Sequence, residues 1–267
     1  MVDYKSLCSQ VCEIAKQAGD FIRKESAAFS TKNVEVKGLH NFVTYVDKGA
    51  EKIIVDRLQE LLSEAGFIAE EDTNTTRGER FNWVIDPLDG TTNFIHGLPP
   101  YAVSIGLLEN NCPVLGVVYE VTLNDCFYAW KDSPAFLNGK EIRVSDGAKI
   151  QDALIATGFP YYDYHLMKPY INCLEYFLQN SHGVRRLGSA AVDLAYVACG
   201  RFEAFYEYSL NPWDVAGGAF ILQQAGGKLS DFSGGNNYIF GKEVVATNNA
   251  IFNEFLDTIQ KFMLCAK

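Results

Sequence analysis

The run Phe81-Asn82-Trp83-Val84-Ile85-Asp86-Pro87 restricts the fold of this chain more than any other stretch. Aromatic and β-branched residues suit a pleated, half-buried surface, so Phe81 to Ile85 predicts a strand. Proline cannot donate to a ladder and disfavours helix in the residue before it, so the strand is expected to stop at Asp86-Pro87. A strand ending there carries Asp86 to the edge of a sheet, with Asp89 three residues on.

The flanking sequence supplies what such a strand needs for company. Leu7, Val11, Ile14, Ala18 and Phe21 recur at helical spacing, and Ala50, Ile53, Ile54, Leu58, Leu61, Leu62 and Ala65 repeat the pattern, which predicts two amphipathic helices. Val34 to Val46 between them reads as loop with short extended pieces. After the strand come three β-rich runs, Tyr101 to Leu108, Val114 to Val121 and Asp125 to Trp130, with turns at Asn110-Asn111 and Leu123-Asn124, an antiparallel meander. From about residue 145 the pattern alternates: strand 154–157, helix 164–178, helix 189–198, strand 202–208, helix 212–224, strand pieces at 228–230 and 244–247, and a terminal helix. The expected division is therefore an α+β half over 1–145 and an α/β half over 146–267, the two countable as one domain.

Composition narrows the class of function. Length 267 with 48% hydrophobic and 21% charged residues is that of a globular chain with an ordinary core. The net charge of −10 repels nucleic-acid backbones and anionic lipid, so neither direct nucleic-acid contact nor membrane binding is expected. A phosphorylated substrate would need cations to approach. Seven Cys without a C-x-x-C pair indicate neither a disulfide framework nor a zinc site and fit a reducing, cytoplasmic compartment. The start Met1-Val2-Asp3-Tyr4-Lys5 has no signal-peptide pattern, and the longest apolar stretch, near 101–108, falls far short of roughly 20 residues.

Asp86-Pro87-Leu88-Asp89-Gly90-Thr91-Thr92-Asn93 places two carboxylates and a carbonyl where they can aim at one point. Hard cations such as Mg²⁺ take such oxygen donors, and Gly90 lets the following N–H groups approach a phosphate. The same residues would also make a surface turn capping a helix. Glu70-Glu71-Asp72 reads equally as a solvated charge run, and Asp214 after Pro212-Trp213 as a first-turn acid complementing a helix dipole. An EF-hand is excluded because position 96 is His, and there is neither a P-loop nor H-E-x-x-H.

Taken together, these segments resemble the inositol monophosphatase family of metal-dependent, lithium-sensitive phosphatases through nearly the whole chain. Trp83 to Phe94 looks like the signature W-x-[IV]-D-P-[IL]-D-G-T-x-N-[FY], and Trp213 to Gly218 like W-D-x-A-[GA]. Val43-Thr44-Tyr45-Val46-Asp47 resembles the V-T-x-x-D element, Glu70-Glu71 the paired acids, and Gly188-Ser189-Ala190-Ala191 the G-[ST]-A-A turn. The resemblance implies a layered αβαβα sandwich of the sugar-phosphatase type, with a mixed or antiparallel N-terminal sheet. It implies two or three Mg²⁺ per site: Glu70, Asp86 and the Leu88 carbonyl holding the first, Asp86, Asp89 and Asp214 the second, with Glu70 near a weaker third. Asp47 and Thr91 would orient and deprotonate the attacking water, with Glu70 among the catalytic residues. Gly90, Thr91 and Thr92 would grip the phosphate, while Asp89, Ser189, Ala190, Glu207 and Asp214 face polyol hydroxyls.

The expected function is Mg²⁺-dependent hydrolysis of inositol monophosphate by in-line attack of a metal-activated water, in a cytoplasmic homodimer. A relative acting on fructose 1,6-bisphosphate, histidinol phosphate or a 3′-phosphonucleotide would share the same signatures, and a mainly protein-binding relative is a third possibility. Asn41 stands where many relatives carry Asp, Phe42 replaces a smaller residue, and Lys37 corresponds only loosely, in register through Gly38-Leu39-His40, to a lysine near the metal loop. Arg185 and Arg186 are each open to a substrate or an interface role, an edge-strand reading of Glu207 remains, and Tyr161, Tyr162 and Tyr164 are expected to serve packing.

Overall fold

A computed structural model describes residues 2–27, 34–38, 41–160 and 162–264; Leu39, His40 and Tyr161, singled out above, lie outside them. Asp3 caps α1 (Tyr4–Ser26) by accepting from the Lys5 and Ser6 N–H groups. A small antiparallel pair, β1 (Val34–Gly38) and β2 (Asn41–Thr44), leads into α2 (Tyr45–Leu61). The predicted second helix ends earlier than Ala65. Leu62 leaves helical geometry so that the chain can enter β3 (Gly66–Ala69), and Ala65 stays buried without being helical.

β4 (Phe81–Asp89), a short α3 (Thr91–Ile95), β5 (Ala102–Glu109), β6 (Cys112–Glu120), β7 (Asp125–Trp130), β8 (Ala135–Leu137) and β9 (Lys140–Ile142) complete the first half. Strands β3 to β9 form one seven-stranded sheet in sequence order, with β3 and β4 parallel and the rest antiparallel. Asn110 and Asn111 both take positive φ at the β5–β6 turn, as does Asn124 after β6, which fits the predicted meander. The hairpin β8–β9 around Asn138-Gly139, also at positive φ, is too short to read from pattern.

The remainder comprises β10 (Leu154–Thr157), α4 (Met167–Asn180), β11 (Gly183–Arg185), α5 (Ala190–Ala198), β12 (Ala204–Tyr208), α6 (Pro212–Gln224), β13 (Lys228–Ser230), β14 (Glu243–Thr247) and α7 (Phe252–Met263). Its five strands form a second mixed sheet in the order β11-β10-β12-β14-β13. Three apolar clusters fix the stacking. One joins α1 and α2 to the first sheet, a second packs α5 and α6 between the two sheets, and a third seats α4 and α7 on the outer face of the second sheet. The chain is thus the expected αβαβα sandwich. Among the described residues no helix is long and apolar enough to cross a membrane.

α6 lies unusually close to the first sheet because glycines meet there. Gly106 and Gly116 are cross-strand partners on β5 and β6, and a Cβ on Gly116 would come within 2.3 Å of the Gly217 carbonyl oxygen. Backbone, unlike a flexible side chain, cannot step aside. Gly116→Ala is therefore expected to lower the unfolding free energy by about 1–3 kcal/mol, seen as a lower urea midpoint. An unchanged midpoint would show that the helix seat yields.

Candidate metal and phosphate site

The ladder of β4 does not stop at Asp86 as expected. Asp86 pairs with Ser104 and Asp89 with Ala102, so Pro87 and Leu88 together face one partner residue. This bulge resolves the proline problem, because Pro87 sits where no ladder bond is called for. The Leu88 N–H donates to Asp86 Oδ1 at 2.9 Å, which folds the carboxylate back over the bulge. Gly90, at φ 96°, then turns the chain into α3; a Cβ there would crowd the Pro100 oxygen at 3.0 Å.

Thr91 follows, and its hydroxyl faces two acceptors: Asp47 Oδ1 at 2.9 Å and the Leu88 oxygen at 3.0 Å. Asp47 comes from the first turn of α2, where it completes a capping box. Its Oδ2 accepts from the Thr44 N–H at 2.8 Å and the Thr44 hydroxyl at 2.6 Å. Asp47 is 1% exposed and reaches the cleft through Thr91 instead of lining it. Burial raises its pKa, against the pull of hydrogen bonds from Thr44 and Thr91.

The other acids arrive from separate elements. Glu70 follows β3, its N–H bonded to the Ile85 oxygen of β4 at 3.2 Å. Asp214 is the third residue of α6, oriented by the Asn211 N–H at 2.7 Å in a second capping box. Glu207 stands on β12, a central strand, which removes the edge-strand reading. Its carboxylate fills the space above Gly158, where a Cβ would lie 2.0 Å from it. Asp89 reaches across to α5, accepting from the Ser189 hydroxyl at 2.6 Å and the Ala191 N–H at 2.7 Å.

Glu70, Asp86, Leu88, Asp89, Glu207 and Asp214 all line one cleft of about 130 Å³, with Gly90, Thr91, Thr92, Ser189 and Ala190 on its walls. Their charges oppose one another. Burial, then the neighbouring Glu70, Asp89 and Asp214, drives the Asp86 pKa up, and burial with Asp214, Glu71 and Asp47 does the same to Glu70. Burial pushes Asp89 up to about 6 despite its hydrogen bonds, and burial with Asp89 pushes Asp214 up to about 7. Glu207 rises through burial, Asp214 and Asp89. Among the described residues no three such side chains close into a ligand cage; the acids surround the cleft from several elements. Carboxylates and a carbonyl, hard oxygen donors in mutual repulsion, fit magnesium better than a soft-ligand metal.

Residues that the sequence names without a settled role gain a defined place here. Asn93, 8% exposed, donates from Nδ2 to the oxygens of Pro100 and Leu187, both at 2.8 Å, tying the loop after Gly90 to the second half. Arg186 lines the cleft with its guanidinium 5.7 Å from the Phe159 ring centre, and its charge lowers the pKa of Asp89 and Glu207. Arg185 is exposed and bonds the Val184 oxygen. Tyr162 corrects the packing expectation: it is 50% exposed and on the cleft, because the segment before α4 runs along the rim. Tyr164, 44% exposed, is likewise outside the core.

A family model described as the inositol monophosphatase family matches residues 3–263. Among curated relatives, the Nus factor SuhB of Escherichia coli (strain K12) is 39% identical over 243 residues, 91% of either chain. The putative Nus factor SuhB of Neisseria meningitidis serogroup B is 37% identical over 246 residues, 92% of this chain and 94% of the relative. Among solved structures, the extragenic suppressor protein suhB from Bartonella henselae superposes with a TM-score of 0.90 at 35% identity, over 96% of this chain and 99% of that one. The inositol monophosphatase from Anabaena (Nostoc) sp. PCC 7120 gives 0.85 at 30% identity over the whole of both chains.

The raised carboxyls make stability depend on pH. Between unfolded values near 4 and folded values of about 6 to 7 for Asp89 and Asp214, the folded chain binds more protons than the unfolded one, so stability falls as pH rises. In EDTA the thermal midpoint should therefore be lower at about pH 7.5 than at about pH 5, with Mg²⁺ restoring it at the higher pH. A midpoint that rises across this window in EDTA would contradict the charge picture.

Proposed function

The chain belongs to the inositol monophosphatase family, and from that premise we propose that it is a Mg²⁺-dependent phosphomonoesterase acting on inositol monophosphate. The observation that carries this reading is the gathering of Glu70, Asp86, Asp89 and Asp214 around one cleft beside the Thr91–Asp47 pair. Phosphate monoesters hydrolyse extremely slowly unaided, and a site for them must neutralise charge and supply an activated water. Glu70, Asp86 and the Leu88 carbonyl would hold one Mg²⁺, Asp86, Asp89 and Asp214 another, with Glu70 near a third. When bound, the metal screens the phosphate charge and makes water a stronger acid.

The chain's own groups then divide the remaining work. Thr91 holds the attacking water in line with the leaving oxygen, and its proton passes towards Asp47, whose raised pKa favours acceptance. Glu70 shares in aligning that water. The N–H groups after Gly90, with the Thr91 and Thr92 hydroxyls, hold phosphate oxygens. Asp89, Ser189, Ala190, Glu207 and Asp214 present acceptors and donors to polyol hydroxyls. The halves 1–145 and 146–267 work as one unit, a reading supported by the apolar cluster they share.

Phosphate release from a panel of inositol 1-phosphate, fructose 1,6-bisphosphate, histidinol phosphate and a 3′-phosphonucleotide tests the substrate class. Release should require Mg²⁺, vanish in EDTA, fall with Li⁺ and be led by inositol 1-phosphate; a different leader replaces the substrate but keeps the chemistry. Thr91→Ala should lower kcat by about 10²-fold or more with an unchanged fold, the scale of a lost proton-transfer group. Full activity in that variant would remove Thr91 from the chemistry.

A second reading, a mainly protein-binding role, is favoured by relatives named Nus factors at 37–39% identity. Asp89→Asn separates the two in cells. An enzymatic role predicts loss of function in the variant, and a binding role predicts that function survives.

A further inference from the structure

We propose that Glu51 is a positioning residue for the metal ligand Glu70, an inference that rests on the phosphatase reading above. Glu51 lies in the middle of α2 and is completely buried. A buried carboxylate is costly unless hydrogen bonds meet it. Here both oxygens are used: Oε2 accepts from the Glu71 N–H and Oε1 from the Thr73 N–H, each at 2.8 Å. Charge-assisted bonds of this length are among the stronger ones in proteins.

Their placement gives them a purpose. Glu70 is held on its N-terminal side by its own N–H on the Ile85 oxygen, and the next backbone donor, at Glu71, is taken by Glu51. The loop reverses at Asp72, whose φ of 54° puts it in the left-handed region, and the Thr73 N–H returns to the same carboxylate. The backbone carrying Glu70 is therefore clamped on both flanks, so its carboxylate meets the cleft in one orientation against the repulsion of its neighbours. Asp47 and Glu51 are four apart on α2 and share one face of it. One helix face thus fixes Thr91 on one side of the cleft and Glu70 on the other.

Glu51→Gln keeps the shape but sets an amide NH₂ against a backbone N–H, opening one jaw of the clamp. Groups that orient metal ligands typically contribute 10- to 100-fold in affinity. Mn²⁺ binding, followed by the electron paramagnetic resonance of the free ion, should be about tenfold or more weaker in the variant. Phosphate release should need correspondingly more Mg²⁺ while kcat at saturating Mg²⁺ stays near that of the unsubstituted chain, a split that general destabilisation would not produce. Unchanged Mn²⁺ affinity in Glu51→Gln would overturn the proposal alone. Absence of Mn²⁺ binding by the unsubstituted chain would overturn the metal reading with it. Should the variant fail to fold, amide hydrogen exchange on the unsubstituted chain in EDTA decides: the Glu71 and Thr73 amides should be protected before any metal is added, and rapid exchange at both would refute the clamp.

Discussion

Asp89 ties the two halves of this molecule together across the cleft. Its carboxylate leaves the end of β4, crosses the cleft and accepts hydrogen bonds from Ser189 and from the first turn of α5. The same carboxylate lies among Asp86, Asp214 and Glu207, whose charges oppose its own. Hydrogen bonds and repulsion therefore act on one group, and the surrounding structure is arranged so that neither displaces it. Asn93 adds two further bonds from the first half to its own loop and to Leu187, beside the Ser189 turn.

The acids are held by a recurring local device. Asp47 and Asp214 are each the third residue of a helix and complete a capping box, so the interaction that starts the helix also aims the carboxylate. Asp86 is aimed by a bulge and Glu70 by a loop tied at both ends. Such anchors use backbone N–H groups whose positions are set by secondary structure, which is a rigid way to hold like charges near one another.

Much of this was legible in the sequence, for physical reasons. Helix α6 begins at Pro212 and ends before Gly226 as the proline and glycine signals require, and the meander β5 to β7 follows from turn residues at positive φ. The candidate acids were legible only as a set, through their resemblance to the family's signatures, because each run alone reads equally as a turn, a solvated charge run or a helix-capping acid. What escaped has equally clear causes. The three-residue strands β8, β9 and β11 carry too little periodicity to stand out from loop, whereas β13, equally short, is marked by the Gly226-Gly227 stop before it. The extension of β4 past Pro87 depends on a bulge, which is a property of the pair of strands and not of one. Glu51 acts over a long sequence separation, and nothing local distinguishes it from a surface residue; Tyr162 is expected to serve packing because it is aromatic, yet its segment runs along the rim.

The close seat of α6 on Gly106 and Gly116 has a wider meaning. With glycines at the contact, helix and sheet backbones come close beside Asp214, and the short Ser104 side chain donates to the Trp213 oxygen at 3.3 Å, so the depth of Asp214 in the cleft is set by near-backbone contact. The opposite rim is built from loop residues, Phe159, Tyr162 and Arg186, each partly open to water. Floor and rim are thus made of different materials. Side chains on the rim can therefore change without moving the seat of α6, so the depth of Asp214 is independent of what the rim presents.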